Sequence, residues 1–275
     1  MLFGQLYIIK HGNIQMNHKQ FDWSITNKEL IILVPNYNRK NLLIPTLKRF
    51  RTTVPDNKWM WLIVNDGPHE PMEDLEKEFN LRYFTFERNP ANERNGCMIR
   101  NKIIKNCQSK WLCTKDPEII IDGDIVNKII NLSGDVVFRP HKMVELQPWD
   151  TQKIIDDPFL DLNKLDILRQ WEASDKRNQA FHAGCCIQTQ RLKNMRGYNE
   201  LYKDFYGFED WEMLERLKKS SIPIIIDKDI ETFHINHFIC RNFHKSIVSN
   251  EKFYKQGLQN LKIIANEGKE WGNGI

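Results

Sequence analysis

The feature that most constrains the fold is a repeated unit: a short apolar run, a polar break, then apolar residues at helical spacing. The first run lies between Glu29 and Asn36, is rich in Ile, Leu and Val, and ends at Pro35. That is the composition of a strand buried on both faces. Asn38, Arg39, Lys40 and Asn41 follow, and then Leu42, Leu43, Ile44, Leu47 and Phe50 take helical spacing. The unit recurs as Trp59 to Val64, the breakers Asp66, Gly67 and Pro68, and the charged helical segment Glu73 to Phe79. A third strand, Leu81 to Phe86, leads into the helical run Met98 to Cys107, and a fourth, Lys110 to Thr114, ends at Lys115, Asp116, Pro117 and Glu118. Strands alternating with helices predict an α/β fold with a parallel sheet, whose ligands bind in the crevice at the carboxyl ends of the strands.

The second half is patterned differently. From Asp135 to about Gln179 there is one strand-like piece, Asp135 to Phe138, and an acidic stretch with Asp156, Asp157 and Pro158, which reads as a connecting region. A second block runs from Ala180 to Phe238 and contains the strand Ile224 to Ile226. The tail, Arg241 to Ile275, carries Phe243, Ile247, Phe253, Leu258, Leu261 and Ile264 at helical spacing.

Composition removes several classes of function. The 275 residues, 41% of them hydrophobic, suffice for a large buried core. Forty Lys and Arg against 36 Asp and Glu leave a net charge of only +4, which gives no ground for a nucleic-acid partner. No apolar run approaches the ~18 residues of a membrane span, and the start, MLFGQLYIIKHG, has neither a basic leader nor a small-residue cleavage site. The expectation is a cytoplasmic protein, or one on the cytoplasmic face of a membrane. In the tail, Lys245, Lys252, Lys255 and Lys262 lie among Phe243, Phe253, Tyr254 and Leu261. They read first as the solvated face of a packed helix and second as a peripheral contact with an anionic membrane. The six cysteines lack C-x-x-C spacing and two, Cys185 and Cys186, are adjacent, so reduced and buried thiols are expected.

Polar residues with chemical potential gather after the strands. Asn36, Tyr37, Asn38 and Arg39 follow the first, Asn65, Asp66 and Gly67 the second, and Asn95, Gly96, Arg100 and Asn101 the third. Asp116 and Glu118 stand two residues apart, where an extended chain puts both carboxylates on one face, suited to a hard divalent cation; the plainer reading of the pair alone is that Asp116 caps the following segment and Glu118 is solvated. Asp122 and Asp124 form a D-x-D and are the alternative pair, although the intervening isoleucines and Gly123 suggest a turn or helix start. Glu209 and Asp210 open a helix with Trp211, Leu214 and Leu217 on one face. The helix dipole there is expected to keep a carboxylate ionised, so that it acts as a base; the plain alternative is a helix cap. His234 and His237 have a spacing that suits metal ligands but lack the Glu of a zinc-protease helix.

Taken in order, these features resemble the GT-A glycosyltransferases of family 2, with a second half similar to the carboxyl-terminal segment of β-1,4-galactosyltransferases and polypeptide N-acetylgalactosaminyltransferases. IILVPNYNR, from Ile31 to Arg39, resembles the opening strand and loop, and LIVNDG, from Leu62 to Gly67, the V-D-D-G-S segment. NGCMIRN, from Asn95 to Asn101, is similar to the N-x-G-x-x-x-A-R-N segment, and Asp116 to Glu118 stands as D-x-E where that family has D-x-D. GYNELYKDFYGFED, from Gly197 to Asp210, resembles G-F-D-E…W-G-x-E-D and is the most specific of the matches.

The resemblance implies a GT-A fold, a Rossmann-like nucleotide-binding half fused to an acceptor-binding half. Residues 1–28 would be an amino-terminal extension, 29–134 the nucleotide-sugar half, 135–240 the acceptor and catalytic half, and 241–275 a helical tail. It implies an inverting, metal-dependent transfer of a hexose or N-acetylhexosamine from a UDP-sugar to a glycan or glycoconjugate hydroxyl, in polysaccharide or glycoconjugate synthesis. Pro35, Tyr37 and Arg39 would line the nucleotide pocket, Asp66 would receive the uracil or ribose, and Arg100 the diphosphate. Asp116 or Glu118 would hold Mn²⁺ or Mg²⁺, with His234 or His237 as a later ligand, and Gly184 would let the donor sugar approach the backbone. Asp210 would be the base, and Glu209 would hold a sugar hydroxyl. Two other classes stay in view: a catalytically silent glycosyltransferase-like subunit, and a metal-dependent nucleotidyltransferase or phosphoesterase using Asp116, Glu118, Asp122 and Asp124.

Overall fold

Each apolar run becomes a strand whose odd and even residues enter different cores, as the period of two requires. A computed structural model describes residues 21–67, 70–86, 96–173, 181–202, 207–237 and 243–272. The chain proceeds through β1 (Leu30–Asn36), α1 (Lys40–Arg49), β2 (Trp59–Asp66), α2 (Glu73–Glu78), β3 (Leu81–Phe86), α3 (Gly96–Asn106) and β4 (Trp111–Lys115). It continues with β5 (Ile119–Asp122), α4 (Ile125–Ile130), β6 (Val137–Leu146), α5 (Thr151–Asp156), β7 (Ile167–Glu172), β8 (Ala183–Gln188), α6 (Thr189–Asn194), α7 (Glu209–Lys219), β9 (Ile224–His234) and α8 (Phe243–Leu258).

In β1, Ile31 and Leu33 pack with Ile103 and Ile104 of α3 and Met213 and Leu217 of α7. Leu30, Ile32 and Val34 enter the opposite core with Leu43 and Leu47 of α1 and Ile125 and Ile129 of α4. A strand covered by helices on both faces has no polar side to show, hence its unbroken apolar sequence.

The strands form one sheet in the order β3-β2-β1-β4-β8-β6-β9-β5, with β7 added to β6. β3, β2, β1 and β4 are parallel, and β8 runs antiparallel to β4. From β1 the chain crosses to β2 on one side and returns later to β4 on the other. The carboxyl ends of β1 and β4 therefore flank a topological switch point, where a crevice opens between diverging loops.

Three expectations are corrected. The region read as a connector, Asp135 to Gln179, contains the ten-residue β6, the helix α5 and β7. It was obscured because β6 carries Pro140, His141 and Lys142 in mid-strand, where the register with β9 shifts. The short strand Ile224 to Ile226 extends to His234, because it pairs with both β6 and β5. In the tail, α8 ends at Leu258, and Leu261 and Ile264 belong instead to a non-helical strap.

That strap is tied down by polar contacts. Asn266 donates through Nδ2 to the carbonyls of Arg196 and Tyr198, at 2.9 and 2.7 Å, and the Gly272 N–H donates to Glu200 at 2.9 Å. Beneath it, Arg216 of α7 is fully buried and pairs with Glu212 at 2.9 Å. It also donates to the carbonyls of Gly197 at 2.8 Å and Ile263 at 3.3 Å. Among the described residues, no helix is long and apolar enough to cross a membrane.

Removing Arg216 strands a buried carboxylate, so Arg216→Met is expected to cost about 3–5 kcal/mol in urea unfolding. The double variant Arg216→Met/Glu212→Leu should recover part of that loss, since no charge is then left unpaired. A single-variant cost under ~1 kcal/mol would show that the clamp does not hold the strap.

Candidate functional site

The loop after β1 is shaped by a residue with no sequence signature. Glu70 accepts hydrogen bonds from the N–H groups of Arg39 at 2.9 Å and Lys40 at 3.1 Å, capping the start of α1. It also accepts from Asn36 Nδ2 at 2.7 Å. With its backbone fixed in this way, Arg39 extends its guanidinium across the crevice to Glu118, 2.5 Å away.

Glu118 stands at the turn between β4 and β5, behind a fully buried lysine. Lys115 Nζ donates to Thr46 Oγ1 of α1 at 3.2 Å and to the Asp116 carbonyl at 3.1 Å, and it lies 5.3 Å from the centre of the Trp61 ring. These contacts hold the Asp116-Pro117-Glu118 corner from the inside. Burial, opposed by the Glu118 and Asp116 carboxylates, lowers the Lys115 pKa from 10.5 to about 7.

The Glu118 side chain is 3% exposed, and Oε1 takes His237 Nε2 at 2.9 Å and lies 3.7 Å from His234 Nε2. Burial alone would raise its pKa. The hydrogen bond from His237 and the charge of Arg39 outweigh that and hold it well below the usual carboxylate range. Its second oxygen, Oε2, and His234 Nδ1 are buried without a hydrogen-bond partner. One ligand atom from each of Glu118, His234 and His237 falls within a mutual 4.8 Å. Two imidazoles and a carboxylate are a donor set that first-row divalent metals accept, and the orphaned oxygen and nitrogen fit such an ion. Burial lowers the His234 pKa, which keeps the ring in the neutral, ligating form.

Asp116 faces the other way. Its Oδ1 takes a hydrogen bond from Arg100 at 3.0 Å, and Arg100 also donates to His182 Nδ1 at 3.3 Å. His182 then donates through Nε2 to the Tyr198 hydroxyl at 3.2 Å, which assigns the tautomer from the network. Burial and the neighbouring Arg100 hold the His182 pKa well below 6.5. Its approach to Glu209, at 3.9 Å, is therefore a polar contact between a neutral ring and a carboxyl rather than an ion pair.

Glu209 and Asp210 begin α7 as expected. The chain enters the helix through Gly207 at φ +90° and Phe208 at φ +73°, a conformation costly for an aromatic residue. The Phe208 ring is held against Trp211 at 5.0 Å and Tyr254 at 5.4 Å, so α8 helps to impose this entry. The expectation that the dipole keeps these carboxylates ionised is corrected. Burial, with Arg100 opposing it, raises the Glu209 pKa, and burial together with Glu209 raises Asp210 well above 3.8. Partial desolvation in the cleft wall, reinforced at Asp210 by the neighbouring Glu209, outweighs the pull of one helix end.

One cleft gathers Pro35, Tyr37, Arg39, Arg100, Asp116, Glu118, Glu209, Asp210, His234 and His237. Asp66 and Gly184 are not among its walls. Asp66 ends β2 and is 4% exposed. Gly184 is the extra residue of a bulge in β8, at φ +89°, where a Cβ would meet Ile121 and Pro140 at 3.4 and 3.5 Å. Its freedom serves the strand's bend next to the cleft. The alternative acidic pair lies elsewhere: Asp124 caps α4 through the Asn127 N–H at 3.1 Å and holds Thr53, and Asp122 is exposed at the end of β5. Asn95, Pro68 and Tyr206, which carry parts of the motifs, fall outside the described residues. The five described cysteines are free and buried.

Several wall residues have no motif in the sequence: His182, Glu145, Arg169, Trp171 and Asn236. A signal that could have marked one of them is the indole of Trp171, set between the polar residues Gln170 and Glu172.

The fold has counterparts among solved structures. The chain is similar to the TarS fragment 1–349 of S. aureus, with a TM-score of 0.56 and 14% identity over 85% of this chain and 66% of that one. It is similar to the same fragment in complex with UDP-GlcNAc, with a TM-score of 0.53 and 12% identity over 80% of this chain and 64% of that one. It also resembles the mannosyltransferase PcManGT of Pyrobaculum calidifontis in complex with GDP-Man and Mn²⁺, with a TM-score of 0.53 and 9% identity over 85% of this chain and 65% of that one. The fold is thus GT-A-like, of the glycosyltransferase kind. The chain spans 65% of that mannosyltransferase and 40% of a longer TarS chain. No protein-family profile matches the sequence, and no curated protein matches it.

The buried Lys115 makes a pH prediction. Its folded pKa of about 7 lies below the unfolded value of 10.5, so between these pH values the unfolded chain binds the extra proton and stability rises with pH. Below pH 7 both states are protonated and the slope vanishes. With metal chelated, the unfolding free energy of wild type minus that of Lys115→Met should rise from pH 7 to 9.5. A difference that stays flat across this range would mean that Lys115 remains charged in the folded protein.

Proposed function

We propose that this protein is an inverting, metal-dependent glycosyltransferase that moves a hexose or N-acetylhexosamine from a nucleotide sugar to a hydroxyl of a glycan or glycoconjugate. The observation that carries the reading is the coexistence, in one switch-point cleft, of the Glu118, His234 and His237 cluster with the half-buried carboxyls Glu209 and Asp210. The first is suited to a cation on a diphosphate and the second to a base. Glycosyltransferases of similar fold, solved with UDP-GlcNAc or with GDP-Man and Mn²⁺, add support for a nucleotide-sugar donor. The family 2 motifs, and the galactosyltransferase-like segment from Gly197 to Asp210, support UDP as the nucleotide and inversion as the outcome.

A divalent ion held by Glu118, His234 and His237 would supply charge neutralisation at the leaving diphosphate. Arg39 and Arg100 bring two further cations to the same cleft, and Arg100 is oriented by Asp116 and His182. Asp210 takes the proton of the acceptor hydroxyl as its oxygen attacks the anomeric carbon; the bond from that carbon to the diphosphate breaks, and the nucleoside diphosphate leaves. A half-buried carboxylate with a raised pKa is a stronger base than one in water, once ionised.

Thermal shift with UDP, GDP, UDP-GlcNAc and GDP-Man, each with Mn²⁺ or with chelator, tests the donor site. One nucleotide at about 100 times its Kd should stabilise the fold by ~2.7 kcal/mol, and chelation should remove most of that. Asp210→Asn should lower transfer by about 10²–10⁴-fold while nucleotide binding persists. Transfer that survives this substitution would sink the base assignment. Release of pyrophosphate or phosphate in place of a nucleoside diphosphate would move the protein to another reaction class.

A further inference from the structure

One wall of the cleft is not used by the donor-side residues. It is built from β6 and β7, with Met143 and Glu145 on the first and Arg169 and Trp171 on the second. β7 pairs with β6, and five of its six residues are exposed, so the strand adds little to any core. Such a strand needs another reason for carrying an indole toward a cleft.

The sheet register fixes where this wall stands. Arg169 is opposite Glu145, and Glu145 is opposite His234 of the metal-ligating cluster. Trp171 is opposite Met143, one side-chain repeat along. With strands ~4.8 Å apart, the Trp171 backbone lies roughly 10 Å across the sheet from β9.

The polar groups beside the indole are already oriented. The Arg169 guanidinium lies 4.8 Å from the centre of the Trp171 ring and pairs with Glu145. Glu145 also accepts from Asn236 Nδ2 at 3.4 Å. With the Arg169 guanidinium over one face of the indole, the opposite face, with the Glu145 carboxylate and the Asn236 amide beside it, matches a sugar: the C–H face of a pyranose lies on that face while its hydroxyls bond to the polar groups.

We propose that the β6–β7 wall binds a sugar ring of the acceptor, with Trp171 as the stacking platform and Glu145 and Arg169 as the groups that bind its hydroxyls. The assignment rests on the glycosyl-transfer reading of the cleft. It makes the acceptor a saccharide at its reacting end, and it makes Trp171 a determinant of acceptor choice.

The test is saturation-transfer NMR on the full chain with UDP or GDP and Mg²⁺ present, using the methyl glycosides of glucose, galactose, mannose and N-acetylglucosamine as probes. At least one glycoside should bind. Its affinity should fall about tenfold in Trp171→Ala and be largely restored in Trp171→Phe, with the melting temperature and nucleotide Kd reporting that the variants are folded. Unchanged glycoside binding in Trp171→Ala overturns the assignment. So does nucleotide binding with no glycoside binding, or a loss in Trp171→Ala that falls on UDP-GlcNAc or GDP-Man instead, which would make this wall part of the donor site. Failure of the wild type to bind any nucleotide would overturn the glycosyl-transfer reading itself, and this assignment with it.

Discussion

A single buried carboxylate, Glu118, connects three of the chain segments that form the cleft. The loop after β1 reaches it through Arg39, the turn after β4 supplies it, and the end of β9 meets it through His234 and His237. An isolated buried carboxylate is costly, so the fold must provide cations or donors on all sides. Here it provides them from strands far apart in sequence, and the unpartnered oxygen leaves capacity for one ligand more. The requirement to neutralise Glu118 therefore draws the two halves of the sheet together at the position where a diphosphate and a cation would sit.

The opposite side of the cleft is held by a different device. Arg100, Asp116, His182 and Tyr198 form a chain of polar contacts that reaches the start of α7. Behind it, Arg216 and the strap from Leu261 to Gly272 fix the segment around Gly197 and Tyr198 from below. The strained entry at Phe208 is thus clamped between Trp211 and Tyr254, and Glu209 and Asp210 are presented from a rigid helix rather than from a loop. Rigid presentation of this kind suits a base that must meet a hydroxyl in one geometry.

How much could be read from the sequence depended on the range of the interaction. The strands β1 to β4 and the start of α7 were legible because continuous apolar runs and an acidic pair before a helical stripe are local signals. β6 was legible only at its start, because Pro140 and Lys142 break its pattern and pairing with β7, β8 and β9 makes the rest a strand. Ten of the twelve expected site residues meet in the cleft, since loops after parallel strands converge by topology. Gly184 stands at a bulge in β8 and not among the cleft walls: a glycine's freedom can serve a bulge as readily as a ligand, and sequence does not distinguish the two. Glu70, Lys115 and Trp171 had no legible role, as each acts through partners distant in the chain.

The sequence by itself determined the alternation of strand and helix, the polar strand ends, and the set of acidic, basic and histidine side chains available for chemistry. Period and punctuation encode these locally. Only the tertiary structure decided which of them meet: Glu118 rather than Asp116 with the histidines, Asp116 with Arg100, and Asp124 as a helix cap. It also decided the protonation tendencies of Glu209, Asp210 and Lys115. The physical reason is that burial and the proximity of charges are properties of the assembled sheet, set by strand order and register, and no short stretch of residues contains them.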